Sequence, residues 1–191
     1  SGQCGRPYDG YQDGRPGRFW APYSVVIDKR DKNQLLITSY RNKAVRTLDV
    51  RSRAVGTFVK SGLLPYIRYI AQEEKSGDVY VTSLNVLYRI TYIQRTVTLI
   101  SGSPGYYTPG YRDSTLLDSL FYLPHELIFI TIHPLLVADK KNNKLRLLDM
   151  NSDKVTTLNV TNSLSLPQSL LLTYDSLYVG QHKKITQYKC E

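Results

Sequence analysis

Apolar and polar positions alternate along this chain in short runs of strand length, and no segment keeps the spacing of an amphipathic helix. β-Branched and aromatic residues fill the runs, with turn-forming residues between them. The first group of runs predicts strands at Tyr23–Asp28, Gln34–Ser39, Ala44–Asp49 and Val55–Lys60. A second predicts Tyr66–Ala71, Asp78–Ser83, Leu87–Tyr92 and Thr96–Ser101, and a third His125–Thr131, Leu135–Asp139, Lys144–Asp149 and Lys154–Val160. The fourth yields only three, Gln168–Thr173, Ser176–Gly180 and Lys184–Cys190. Two long connections, Arg6–Ala21 and Gly102–Leu123, each carry a G-Y-x-D element, at Gly10–Asp13 and Gly110–Asp113. Connections of this length in a compact domain tend to serve function, which is the expectation for both.

The four groups are copies of one unit. Ile37–Asp49 reads ITSYRNKAVRTLD, and one hundred positions later Val137–Asp149 reads VADKKNNKLRLLD. Shorter copies begin at Val81 (VTSLNVLYRIT) and Val179 (VGQHKKITQYK), and Pro22, Pro65, Pro124 and Pro167 each open an apolar run ahead of a copy. Short-strand repeats of roughly 40–50 residues point to propeller blades. The predicted fold is therefore all-β, a single four-bladed β-propeller over residues 1–191, with repeats near 18–60, 61–101, 120–160 and 164–191 plus 1–5.

The fourth repeat lacks an outermost strand, and the segment around Gln3–Gly5 has no blade of its own. Pairing that segment with Lys184–Cys190 would close the ring and make Cys4 and Cys190 neighbours, the only two cysteines in the chain. A disulfide there closes a loop of roughly 187 residues, worth about 5 kcal/mol in the chain-entropy model. A stable disulfide implies an oxidising compartment, so the expectation is a secreted chain whose leader has been removed. Asn159-Val160-Thr161 is a glycosylation sequon that agrees with this.

Hydrophobic residues make up 41% of the 191 positions, yet no apolar run approaches the ~20 residues that span a bilayer. The 25 Lys and Arg outnumber 16 Asp and Glu, a net charge of +9, which favours anionic partners. A solvated basic surface would give the same total.

The pattern D-G…F-x-x-P, followed by a V-A-D-x-x-N-x-x-Φ-R core, resembles the NHL repeat. Phe121-Tyr122-Leu123-Pro124-His125 through Val137–Arg146 carries the fullest match, and Asp13-Gly14, Phe19, Pro22, Asn42 and Arg46 carry the first copy. The resemblance implies a propeller that binds proteins or RNA, usually with six blades; with four, either the ring is small or chains combine into an oligomer. One branch of the family, the peptide-amidating lyases, holds zinc on histidines, one of them in a Pro-His element like Pro124-His125. The matching positions elsewhere carry Tyr23, Tyr66 and Gln168, so a three-histidine site is not assembled, and His125 is the single metal candidate.

In a propeller the turn between second and third strands and the loop entering each blade emerge on one face. The chain places Arg41, Lys43, Lys140, Lys141, Lys144, Lys183 and Lys184 in such turns and Arg112 in a long loop. These predict a basic face around a mouth holding Tyr23, Tyr66, His125 and Gln168. Tyr8, Tyr11, Tyr106, Tyr107 and Tyr111 lie in the long loops, either as contact surface or as packing onto the blades. No G-x-S-x-G, P-loop, C-x-x-C or H-E-x-x-H element is present. The sequence thus reads as a secreted, non-enzymatic, cofactor-free module for an extracellular protein or sulfated, anionic glycan. A metal-dependent enzyme centred on His125 is the alternative, and the disulfide argues against a nucleic-acid partner.

Overall fold

The computed structural model describes residues 10–102, 108–131 and 134–189. Among them are fifteen strands and one turn of 3-10 helix, Lys140–Asn142. The first sheet is formed by β1 (Pro22–Ile27), β2 (Gln34–Ser39), β3 (Ala44–Asp49) and β4 (Val55–Lys60). A second runs β5 (Ile67–Gln72), β6 (Val79–Ser83), β7 (Val86–Ile90) and β8 (Val97–Ser101). The third comprises β9 (Pro124–Phe129), β10 (Leu135–Asp139), β11 (Lys144–Asp149) and β12 (Lys154–Leu158), and the fourth β13 (Ser169–Leu172), β14 (Ser176–Gly180) and β15 (Ile185–Lys189). The result is an all-β chain in a four-blade propeller arrangement. Two compact units divide it: Ser1–Ser83 with Arg89–Thr98, and Leu84–Tyr88 with Leu99–Glu191.

Observed and predicted strands coincide at β2, β3, β4, β10, β11 and β14, where apolar alternation is flanked by tight turns. They differ where a side chain or a turn takes over the backbone. Tyr66 sits at φ 56°, so β5 starts one residue late, and Tyr92 gives its N–H to the Asp78 carboxylate (2.8 Å) instead of extending β7. Among the described residues the fourth sheet has three strands. Closure by the segment around Gln3–Gly5 and the Cys4–Cys190 bridge fall on residues outside those described.

Among the described residues ten non-glycine positions have positive φ, and nine of them recur at three kinds of corner. Ala21, Leu123 and Leu166 precede the blade prolines; Lys43, Leu84 and Asn143 sit between second and third strands; Arg53, Arg95 and Asp153 between third and fourth. Side chains tie two of the blade entries down. Asn85 Oδ1 accepts the Leu123 N–H (2.9 Å), and Asn143 Oδ1 accepts that of Leu166 (2.8 Å).

The G-Y-x-D loops are anchored by two fully buried arginines. In the first unit Arg46 donates to Asp13 Oδ1 (2.5 Å) and to the carbonyls of Gln12 (2.9 Å), Arg18 (3.0 Å) and Gly56 (3.1 Å). Its guanidinium lies 4.4 Å from the Tyr11 ring centre and 5.2 Å from that of Phe19. One hundred residues on, Arg146 donates to Asp113 (2.6 Å) and to the carbonyls of Arg112 (2.8 Å) and Leu120 (3.0 Å), with the Tyr111 and Phe121 rings at 5.0 and 4.9 Å. Tyr11 and Tyr111 bond the hydroxyls of Thr57 (2.6 Å) and Thr157 (2.9 Å). Both described G-Y-x-D elements therefore seat their loop on its own blade. Each arginine fork is satisfied on several sides, which is what makes a buried charge tolerable.

The two anchors differ in one respect. Arg146 also pairs with buried Asp139 (2.8 Å), where the first blade has Ser39. Removing Asp13 leaves Arg46 without a carboxylate, whereas removing Asp113 leaves Arg146 with Asp139. Asp13→Ala should cost about 3 kcal/mol in urea unfolding, the scale for an orphaned buried charge, and Asp113→Ala clearly less. Equal or reversed losses would show that the loops are held by something else.

Candidate functional site

The first unit carries the best-built surface feature among the described residues. Gly10, Tyr11, Trp20, Arg41, Asn42, Lys43 and Lys60 line an open groove of about 460 Å³. Its floor is the junction between the β2–β3 turn and the segment entering β1. Asn42, buried, accepts the Trp20 N–H on Oδ1 (3.0 Å) and also bonds Ser39 Oγ (2.6 Å), while the N–H groups of Tyr40 and Arg41 reach the carbonyls of Ala21 (3.0 Å) and Trp20 (3.3 Å). Trp20 is held by its backbone and leaves its indole 44% exposed. Opposite it, Lys60 at the end of β4 places Nζ 3.9 Å from the centre of the Tyr11 ring. The buried Arg46 anchor thus sets one wall of the groove by fixing Tyr11.

A cluster of tyrosines adjoins the groove through Arg41. The Arg41 guanidinium lies 5.7 Å from the Tyr40 ring centre, and Arg68 approaches the same ring at 5.6 Å. Tyr40 stacks on Tyr23 (6.2 Å) and meets Tyr66 (5.2 Å), and Tyr23 meets Tyr69 edge-on (5.4 Å). Tyr23 stays 49% exposed. Among the described residues, none of Arg41, Lys43, Lys60 and Arg68 pairs with a carboxylate. The arrangement can take an anionic group on the cations and a sugar ring or aryl group on Trp20 and the tyrosine edges.

Of the sequence-predicted residues, Tyr23, Arg41, Lys43 and Tyr66 come together here. Trp20, Tyr40, Lys60 and Arg68 were missed: Lys60 ends a strand, and Trp20 and Tyr40 carry no charge signal. In the second unit Lys141 and Lys144 are exposed around the 3-10 turn, and Lys140 is half-buried. Lys183 and Lys184 are exposed ahead of β15, and Gln168 is half-buried with its N–H on the Gly180 carbonyl (2.8 Å). Arg112 donates Nε to the Asp118 carbonyl (2.7 Å) and so works within its loop. Asn159 is exposed. Tyr8, Tyr106, Tyr107 and His133 lie outside the described residues.

His125 is 6% exposed on β9, and among the described residues no group of three or more His, Cys, Asp or Glu could hold a metal ion. Glu126 turns away from it, as strand alternation requires, and accepts the Leu170 N–H on Oε2 (2.7 Å). Burial pushes the Glu126 carboxyl above its ordinary 4.5, and the Leu170 N–H pulls back only in part. A raised folded-state pKa means that the folded chain holds the proton more tightly than the unfolded one. Stability from this group is thus present at low pH and is lost as pH climbs from the ordinary glutamate range through the raised value. Glu126→Gln keeps an acceptor for Leu170, so its stability relative to wild type should rise across that window. Parallel denaturation curves of the two proteins with no pH-dependent difference would contradict this.

No protein-family model matches the chain, and no curated protein matches it. Solved structures do. A protein of unknown function from Bacteroides thetaiotaomicron superposes with a TM-score of 0.76 at 17% identity, covering 88% of this chain and 47% of the other. An auxiliary nutrient binding protein from Bacteroides ovatus gives 0.73 at 14%, covering 91% and 50%. A nidogen/laminin complex chain gives 0.68 at 13%, covering 90% and 60%. At such identities the likeness establishes the β-propeller type of fold. The chain spans about half the length of the first two structures.

Proposed function

We propose that this chain is a non-catalytic, extracellular binding module of the NHL-like propeller type, and that the groove between Trp20 and Lys60 takes an anionic ligand. The observation that carries the reading is a set of four cations with no carboxylate partner among the described residues, Arg41, Lys43, Lys60 and Arg68, interleaved with aromatic edges. A solvated basic surface would scatter its charges; here buried Asn42 and the Arg46 anchor fix the turn and the wall that carry them. Sulfate and carboxylate match Arg forks and Lys point charges, and Trp20 offers a face for the ring that bears them. A sulfated or uronic glycan fits both features, and an acidic segment of an extracellular protein fits the charge alone. Extracellular domains and a nutrient binding protein among the structures of similar fold support this location. Among the described residues no helix is long and apolar enough to cross a membrane.

Retention on immobilised heparin should fall steeply with salt, as expected for exposed charges. Lys43→Glu with Lys60→Glu should weaken binding by roughly tenfold or more, a difference of about 1.4 kcal/mol per decade. Lys183→Glu with Lys184→Glu, which do not line the groove, should change it far less. Equal losses from both pairs would reduce the interaction to net charge and sink the groove.

The extracellular reading also requires the Cys4–Cys190 bridge. Peptide mapping of native, unreduced protein should yield one linked peptide containing both cysteines. Two free thiols would remove that support.

A further inference from the structure

Arg68 and the tyrosines around Tyr40 do not line the groove of Trp20 and Lys60, yet two strand irregularities bring them together. In β1, Tyr23 and Ser24 stand opposite the single residue Thr38, between the pairs Pro22–Ser39 and Val25–Ile37. In β5, Arg68 and Tyr69 stand opposite Thr82, between Ile67–Ser83 and Ile70–Val81. The facing threonine takes an N–H in each bulge: Ser24 donates to Thr38 Oγ1 (3.0 Å) and Tyr69 to Thr82 Oγ1 (3.2 Å). Bulges bend a strand and re-aim its side chains. Here the residues they carry converge, Tyr69 on Tyr23 (5.4 Å), and Tyr23 and Arg68 on the Tyr40 ring (6.2 and 5.6 Å).

Arg41 joins this cluster to the groove, since it lines the groove and its guanidinium lies 5.7 Å from the Tyr40 ring centre. Each side of Arg41 repeats one pairing, an exposed aromatic residue with a cation that meets no carboxylate among the described residues. On one side Trp20 shares the groove with Lys43 and Lys60; on the other Tyr23 shares the Tyr40 ring with Arg68. Trp20 and Tyr23 are three residues apart, so their Cα atoms are separated by no more than about 11 Å. Both pairings belong to the same compact unit.

We propose, on the reading of the groove as an anion site, that the ligand is a polymer and that Tyr23, Tyr40 and Arg68 form a second subsite for it. One charged sugar of a sulfated or uronic glycan sits in the groove, and a later sugar of the same chain lies on Tyr23 with its anionic group on Arg68. Arg41 serves both. A polymer of rings that bear charge matches a repeated pairing of ring and cation. An acidic peptide would supply the charge and leave both aromatic faces unused. Once the first sugar is seated, the second contact forms within one complex at a raised effective concentration, so affinity grows with chain length although each contact is weak.

Two probes of different length test this on the intact chain: glucosamine sulfated at two positions, a single ring, and a heparin hexasaccharide. The hexasaccharide should bind about a hundredfold more tightly than the single ring. Arg68→Gln and Tyr23→Ala should each weaken the hexasaccharide about tenfold and leave the single ring unchanged, which also shows that each variant is folded. Lys43→Glu with Lys60→Glu should weaken both probes. Equal effects of Arg68→Gln and Tyr23→Ala on the two probes would overturn the second subsite and leave the groove standing. So would a hexapeptide of glutamate that binds as tightly as the hexasaccharide and with the same dependence on Arg68. If neither probe responds to Lys43→Glu with Lys60→Glu, the groove falls as well.

Discussion

Two buried guanidinium groups hold this structure together where its repeats are most irregular. Arg46 and Arg146 lie at the same position of their strands, and each gathers an aspartate, two carbonyls of a long loop and two aromatic rings around itself. They supplement the backbone bridges of the loops entering the first and third blades, Gln12 with Arg18 and Arg112 with Leu120, and the edge contacts to β4 and β12. Because Tyr11 is both a ring over Arg46 and a wall of the groove, the surface that meets solvent is set by a charge that never does.

The basic residues consequently fall into two populations. Arg46, Arg146, Arg89 with Asp78 and Lys29 with Glu74 are occupied within the fold. Among the described residues Arg41, Lys43, Lys60 and Arg68 pair with no carboxylate and gather about the groove, while Lys141, Lys144, Lys183 and Lys184, equally unpaired, belong to the other unit. The net charge of +9 is therefore a poor guide by itself; what separates spent from available charge is whether a carboxylate lies within reach.

Strand content was legible because alternation and turn residues agree along most of the chain. The hundred-residue repeat revealed the blade unit, and the proline before each copy marked its entry. Ile37 and Val137 could be aligned by eye, yet nothing in the letters told that G-Y-x-D pairs with the arginine some thirty positions later; only the fold brings Asp13 to Arg46. Arg41 and Lys43 could be found from charge in a turn. Trp20 and Lys60 could not, since one precedes a blade and the other ends a strand, and their meeting across Tyr11 is a tertiary event. Tyr80 on β6 is 2% exposed, and burial raises its phenol to about 12.

The recurrent left-handed corners set a conflict at one residue. A side chain in this conformation costs on the order of 1–2 kcal/mol relative to the right-handed form, a penalty that glycine escapes. At Arg53, between third and fourth strands, relief of that strain would touch no part of the groove. At Lys43 the same relief would delete an ammonium group from its rim. Glycine would relieve strain at both residues, but only at Lys43 would it take a charge from the groove.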